Sequence, residues 1–250
     1  MNYEKFNFGD FTEDEYRKLI KIAIKKFDFI SYQDYKKAGH NILWRHDVDV
    51  SIHRAFSLAK IEAEEGIKST FFLHLHSIHY NLFEDEITSL INKILELDHE
   101  IGLHFDPVFF ESLSHNKKNL HEWIEIEKNL LDDLFDKRIL VISIHQPDTT
   151  NALDLKADYL GGLVNTYSKY IMKHYTYCSD SNGYWRFQRL FDLLNDSDDN
   201  NLQILTHPEW WTYDVLSPRD RISRCINGRN KKQHMRYDLI MNQIRRKNVR

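Results

Sequence analysis

Glycine and proline are scarce in this 250-residue chain, at 8 and 4 residues, which excludes a collagen-like or linker-rich protein. Cysteine is scarcer still. Cys178 and Cys225 stand far apart and fit no C-x-x-C pattern, so neither a disulfide framework nor a cysteine-based zinc site is expected. No run of 18 apolar residues occurs, and the opening MNYEKFNFGDFTEDEY lacks the basic-then-apolar order of a secretory signal, so the expected location is the cytoplasm. Internal repeats and low-complexity segments are absent as well.

What is present is an ordinary globular composition, 42% hydrophobic and 13% aromatic, in a chain short enough for a single domain over residues 1–250. The net charge of -4 conceals an asymmetry: residues 217–250 carry 11 Lys and Arg against Asp220 and Asp238. Such a basic end can pair with the acidic body, rest on an acidic membrane surface as a peripheral contact, or meet an anionic sugar carrier. Poor aromatic interleaving there argues against nucleic acid.

Thr12 and Glu15 form a capping-box pattern ahead of helically spaced apolar residues, which predicts a helix over about 12–27. NILWRH then reads as a buried strand, and Ser51 as the cap of a helix that stops at Gly66. STFFLHLH, EIGLHFD, RILVISIHQP and NLQILTHPEWW are further strands, with helices expected over 84–97, 117–135 and 186–195 and a loop-like stretch after residue 148. NDSDDNN reads as a polar turn, and residues 217–248 as helix broken near Gly228. Alternating strands and helices imply an α/β fold with a mostly parallel sheet, open or closed into a barrel, whose active groups sit at the carboxyl ends of strands.

Those ends share a chemistry. Asp47 and Asp49, His74 and His76, His104 with Asp106, His145, and His207 each follow an apolar strand. Histidine with aspartate is the ligand set of a Zn²⁺ or similar divalent site. Strand alternation puts Asp47 and Asp49 on one face. Two carboxylates that close are compatible if one binds a cation while the other handles a proton, a division suited to metal-assisted hydrolysis of an amide or ester.

Three families compete for this pattern. DVDVS satisfies the D-x-D-x-[ST] of haloacid-dehalogenase-type aspartyl phosphatases, but no later strand carries their carboxylate pair. LHLHS supplies the H-x-H of an amidohydrolase barrel, on the second strand instead of the first. The ordered set RHDVDVSIHRA, STFFLH, HEIGLHFD, SIHQP, DSNGYWR and ILTHPEWW, spread over residues 45–211, resembles the polysaccharide deacetylase family, carbohydrate esterase family 4, in a NodB-like branch associated with surface-polysaccharide (O-antigen or capsule) biosynthesis. The resemblance implies a distorted (β/α) barrel with mostly parallel strands and metal-dependent removal of an acyl group, acetyl or formyl, from an acylamido sugar linked to a nucleotide or carrier.

By that resemblance Asp47 matches the catalytic base, Asp49 and His104 match metal ligands, and His207 matches the general acid. The family's H-x-x-x-H motif is broken, because Val108 stands four residues after His104. His145 is the first candidate for the missing ligand to zinc, followed by Asp106, His46 and His53. Arg45, His46, Asp106, Asp180 and Arg186 are candidate substrate-binding or supporting groups, and Trp185, Trp210 and Trp211 candidate platforms for a sugar ring. His74, His76 and His79 are expected to be structural. If the break at Val108 abolishes catalysis, the alternative is a sugar-binding or scaffold protein on the same fold.

Overall fold

The first helix starts where its cap dictates: in the computed structural model, which describes residues 6–113, 117–151, 153–185, 187–196 and 201–249, Thr12 Oγ1 accepts the backbone N–H of Glu15 and α1 runs Glu13–Ala23. Tyr16, Leu19, Ile20 and Ala23 form its buried stripe. Next come the short strand β1 (Asp28–Phe29), β2 (Asn41–Val48), α2 (Ile52–Glu64, capped by Ser51), β3 (Thr70–Leu73), α3 (Asp85–Glu96), β4 (Glu100–Phe105), α4 (Pro107–Glu111, capped by Asp106) and α5 (Leu120–Phe135). The Asn119–Glu122 capping box starts α5, three residues later than the expected helix.

After β5 (Val141–Ile144), the stretch expected to be loop holds a small hairpin, β6 (Tyr159–Leu160) and β7 (Leu163–Asn165). Gly161 and Gly162, at φ 55° and 79°, form its two-residue turn, a conformation that favours glycine. The chain continues through α6 (Lys169–His174), β8 (Thr176–Ser179), α7 (Leu190–Asp196), β9 (Asn201–Thr206) and α8 (Pro218–Gln243). Most of the expected polar turn NDSDDNN lies outside the described residues.

No break occurs near Gly228; α8 is continuous. Arg229 pairs with Glu84 and Lys232 with Glu86, tying the helix to the start of α3, and a lone exposed glycine costs only about 1 kcal/mol. Beyond residue 232 the helix is almost entirely exposed. No helix among the described residues is long and apolar enough to cross a membrane.

Among the described residues nine strands form one sheet in the order β6-β7-β5-β4-β3-β2-β9-β8, with β1 also beside β2. All pairings are parallel except β6 with β7. β2 is buried along its entire length, as expected of a parallel strand covered on both faces. The sheet is strongly curled. In a flat sheet β2 and β5 would lie about 14 Å apart, three strand spacings, yet Ser143 on β5 donates to Asp47 on β2 at 3.0 Å. The path remains open between β6 and β8, so the expected distorted barrel is a half-barrel.

Inside the curl, Tyr32, Leu43, Phe72, Val141 and Val164 make an apolar plug, while two larger cores lie between sheet and helices. Gly102 is required beneath this plug: a Cβ there would stand 2.6 Å from the Phe72 ring.

Candidate metal centre and proton-transfer site

Parallel strands deliver their carboxyl ends to one edge of the sheet. Asp47 lies in the last turn of β2 with Asp49 just beyond it, His104 lies in β4, and His74, His145, Asp180 and His207 directly follow β3, β5, β8 and β9. Six strands thus supply one rim.

Asp47 is buried and held from below. Its Oδ2 accepts from Ser143 Oγ at 3.0 Å and lies 3.5 Å from Arg45 Nη2, while Oδ1 has no hydrogen-bond partner. Arg45 is itself fully buried, donates to the Tyr167 hydroxyl at 2.8 Å and lies over the rings of Tyr167 and Phe72. Burial opposes its charge, but the neighbouring Asp47 carboxylate more than compensates and holds the guanidinium protonated. Arg45, Asp47 and Asp49 share one face because they alternate along the chain.

Asp49 faces the histidines. Its Oδ1 lies 3.2 Å from His104 Nε2 and its Oδ2 3.9 Å from His207 Nε2. Burial would raise its pKa, but the hydrogen bond and charge of His104, with the charges of His207 and His145, hold it well below the usual carboxylate range. One ligand atom from each of Asp49, His74 and His145 fits within 4.8 Å of the others, a group able to hold a metal ion. The rings of His104 and His74 are 5.5 Å apart, and those of His104 and His145 5.3 Å.

The donor chemistry fits a divalent cation. Both ring nitrogens of His74 and Nδ1 of His104 are buried without a hydrogen-bond partner, an arrangement that costs free energy unless a ligand satisfies it. Imidazole nitrogens with one carboxylate suit zinc and its first-row neighbours. Asp106 stands behind two of the histidines, its Oδ2 3.5 Å from His74 Nε2 and 3.6 Å from His145 Nδ1. Its Oδ1 accepts the N–H of Phe109, so the same side chain caps α4.

His207 is oriented by Asp180, which is fully buried and accepts from His207 Nδ1 at 2.7 Å, from the His207 backbone N–H, and from Trp211 Nε1. Burial alone would lower the imidazole pKa; the hydrogen bond and charge of Asp180, then Asp49 and Glu209, push it up to about 10. Glu209, two residues on, is buried with an unpartnered Oε2, and burial together with the Asp49 charge raises its pKa to about 8.

Several expectations are corrected by this geometry. His74, expected to be structural, stands in the group able to hold a metal ion; its signal was its place at a strand end. His46, expected near substrate or metal, is fully buried on the opposite face, bound to Glu62 and Thr206 at 2.7 Å each, because alternation turns it away from Asp47. His53, on α2, pairs with Glu86 of α3 and Lys232 of α8 and belongs to no group able to hold a metal among the described residues. Trp211 is fully buried against Phe11 and Tyr16 and presents no face to a sugar. Trp185 stacks on Phe11 and donates to Asp10, so it too is engaged in packing, whereas Trp210 is half-buried beside Gly183. Arg186 lies outside the described residues. Val108 sits on α4 with 41% exposure and offers nothing to the cluster. Ser143, Tyr167 and Glu209 were not foreseen, since nothing local distinguishes them from ordinary strand and loop residues.

No protein-family model matches the chain, and no curated protein matches it. Among solved structures, BA3943 from Bacillus anthracis, described as a CE4 family pseudoenzyme, is 12% identical, with a TM-score of 0.41 over 75% of this chain and 60% of that one. The chain thus spans less than two thirds of that protein's length. Streptococcus pyogenes deacetylase PplD, in complex with acetate, is 12% identical with a TM-score of 0.37 over 84% and 85% of the two chains. The peptidoglycan deacetylase PdaC from Bacillus subtilis is 12% identical with a TM-score of 0.39 over 81% and 96%.

Proposed function

We propose that the chain is a divalent-metal-dependent amide hydrolase that removes an acetyl or formyl group from an acylamido sugar during assembly of a surface polysaccharide. The observation that carries this reading is the convergence of Asp47, Asp49, His74, His104, His145 and His207 on one rim, with an unengaged carboxylate oxygen on Asp47 and a proton-bearing imidazole at His207. The motif order shared with the polysaccharide deacetylases supports the choice of substrate class.

Asp49, His74 and His145, with His104 beside them, would hold a divalent cation, which would supply the charge that polarises an acyl carbonyl and makes a water more acidic. Asp47 takes the water's proton on Oδ1 as the water oxygen bonds to the acyl carbon, because Oδ2 is occupied by Ser143 and Arg45. Arg45, 3.5 Å from Oδ2, helps fix the orientation of Asp47. As the C–N bond breaks, His207 delivers its Nε2 proton to the departing nitrogen, which would otherwise leave as an amine anion, a poor leaving group at neutral pH. Asp180 replenishes nothing itself; it holds His207 in the orientation that keeps Nε2 toward the rim. Asp106 does the same for His74 and His145.

The test is elemental analysis of protein purified without chelator, followed by measurement of acetate and formate released from a panel of acylamino sugars. About one first-row divalent ion per chain and acyl release abolished by Asp47→Asn are expected. A metal-free protein that releases neither acid after reconstitution would overturn the reading.

A further inference from the structure

A pocket of about 440 Å³ opens beside the rim, between the start of α2, the start of α3 and the middle of α8. Its position is tied to the site by the chain itself. Val50 to Arg54 form one wall, beginning directly after Asp49, and Ile78 to Tyr80 form another, four residues after His74. Ser77 Oγ donates to the Asp49 carbonyl at 2.7 Å, and Tyr80 both donates to the Val48 carbonyl and accepts from the His74 N–H. The loops that position Asp49 and His74 are therefore the loops that shape the pocket. Ser51 stands two residues from Asp49, about 7 Å of extended chain.

Two chemistries line this space. Ile52, Ile87 and Tyr80 are buried in its walls, whereas Ile78 and Ile226, 92% and 48% exposed, also border it. Four cations, Arg54, Arg224, Arg229 and Lys232, face only two carboxylates, Glu84 and Glu86. Glu84 is taken by Arg229 and Glu86 by Lys232. Arg224 has no ion-pair or hydrogen-bond partner among the described residues, and Arg54 Nε is buried without an acceptor although Nη2 reaches Glu13 and the Trp211 carbonyl. The buried, unmet Nε of Arg54 and the unneutralised charge of Arg224 favour an anion, and the isoleucines an apolar or planar body attached to it.

We propose that this pocket binds the diphosphate-linked carrier of the acylamino sugar, with the diphosphate at Arg54 and Arg224 and the carrier's apolar portion against Ile78, Ile87 and Ile226. This rests on the hydrolase reading above and deepens it: the substrate is a glycosyl diphosphate, not a free sugar or a finished polymer. Two sources share the chemistry, a nucleoside diphosphate and a prenyl diphosphate.

The test uses the full chain after metal removal with chelator, so that no diphosphate can bind through a metal at the rim. Calorimetric titration with uridine diphosphate, geranyl diphosphate and inorganic pyrophosphate separates the contributions. One organic diphosphate is expected to bind at least tenfold tighter than pyrophosphate, and which one identifies the carrier. Arg224→Ala and Ile226→Asp, both at exposed positions, are each expected to weaken that binding about tenfold, while Lys18→Ala, on α1 and outside the pocket lining, leaves it unchanged. Equal binding of all three compounds, no binding, or affinity indifferent to Arg224→Ala would overturn the pocket assignment. The two readings fail separately: loss of the pocket leaves metal content and acyl release from unlinked sugars intact, whereas absence of metal and acyl release leaves the titration result standing.

Discussion

Asp180 grips His207 twice, accepting from both its backbone N–H and its Nδ1, so the imidazole can turn only by breaking a buried charge-assisted hydrogen bond. Asp180→Asn removes that charge. The His207 pKa is expected to fall from about 10 toward the ordinary value near 6.5, read by NMR titration of the ring. Because the folded pKa is raised, the stabilisation is fully present below about pH 6.5 and is lost as pH rises through 10; the gap in urea stability between parent and variant narrows over that range.

Asp47→Asn keeps the Ser143 contact within reach but removes the proton acceptor. Acyl release is expected to drop by about 10²- to 10⁴-fold, the usual contribution of general-base catalysis, with the metal content unchanged by elemental analysis. Parallel loss of metal would mean that Asp47 is a ligand.

His74→Ala is expected to abolish stoichiometric metal, and Asp106→Asn, which leaves the ligands in place but frees His74 and His145, to weaken metal affinity by about 10- to 100-fold. Val108→His, which completes an H-x-x-x-H pattern after His104, is expected to leave metal affinity unchanged, because that position lies exposed on α4. Competition with a chromophoric chelator measures all three.

Glu209→Gln tests a buried carboxyl. With the folded pKa raised to about 8 and the unfolded value near 4.3, folding takes up a proton between those limits, so the parent loses stability as pH rises through that window. The variant lacks this slope. In chelator-treated protein its urea midpoint is expected to gain on the parent's from pH 4 to pH 8 and to change little in relation to it above that.

Much of the rim was legible in local patterns. Apolar runs ending in Asp or His mark β2, β3, β4, β5 and β9, and alternation alone puts Asp47 and Asp49 together and His46 on the other side. The cap residues Thr12 and Ser51 located two helix starts to within a residue. The miss at Gly228 has a different origin: a helix-breaking tendency of about 1 kcal/mol is outweighed by ion pairs to Glu84 and Glu86, residues more than 140 positions away.

The sequence by itself determined that strands and helices alternate, that the strands are buried, and that polar residues stand at their carboxyl ends, because periodicity, capping and burial are properties of neighbouring residues. Only the tertiary structure decided which of those residues meet. His74 and His145 are 71 positions apart and come together because the sheet curls across β4, the one strand between theirs; Arg45 finds Tyr167 for the same reason, and Trp211 is removed from any sugar by the packing of α1. Curvature is set by how the whole set of side chains fills the barrel, Gly102 beneath Phe72 among them, and no window of the chain contains that sum.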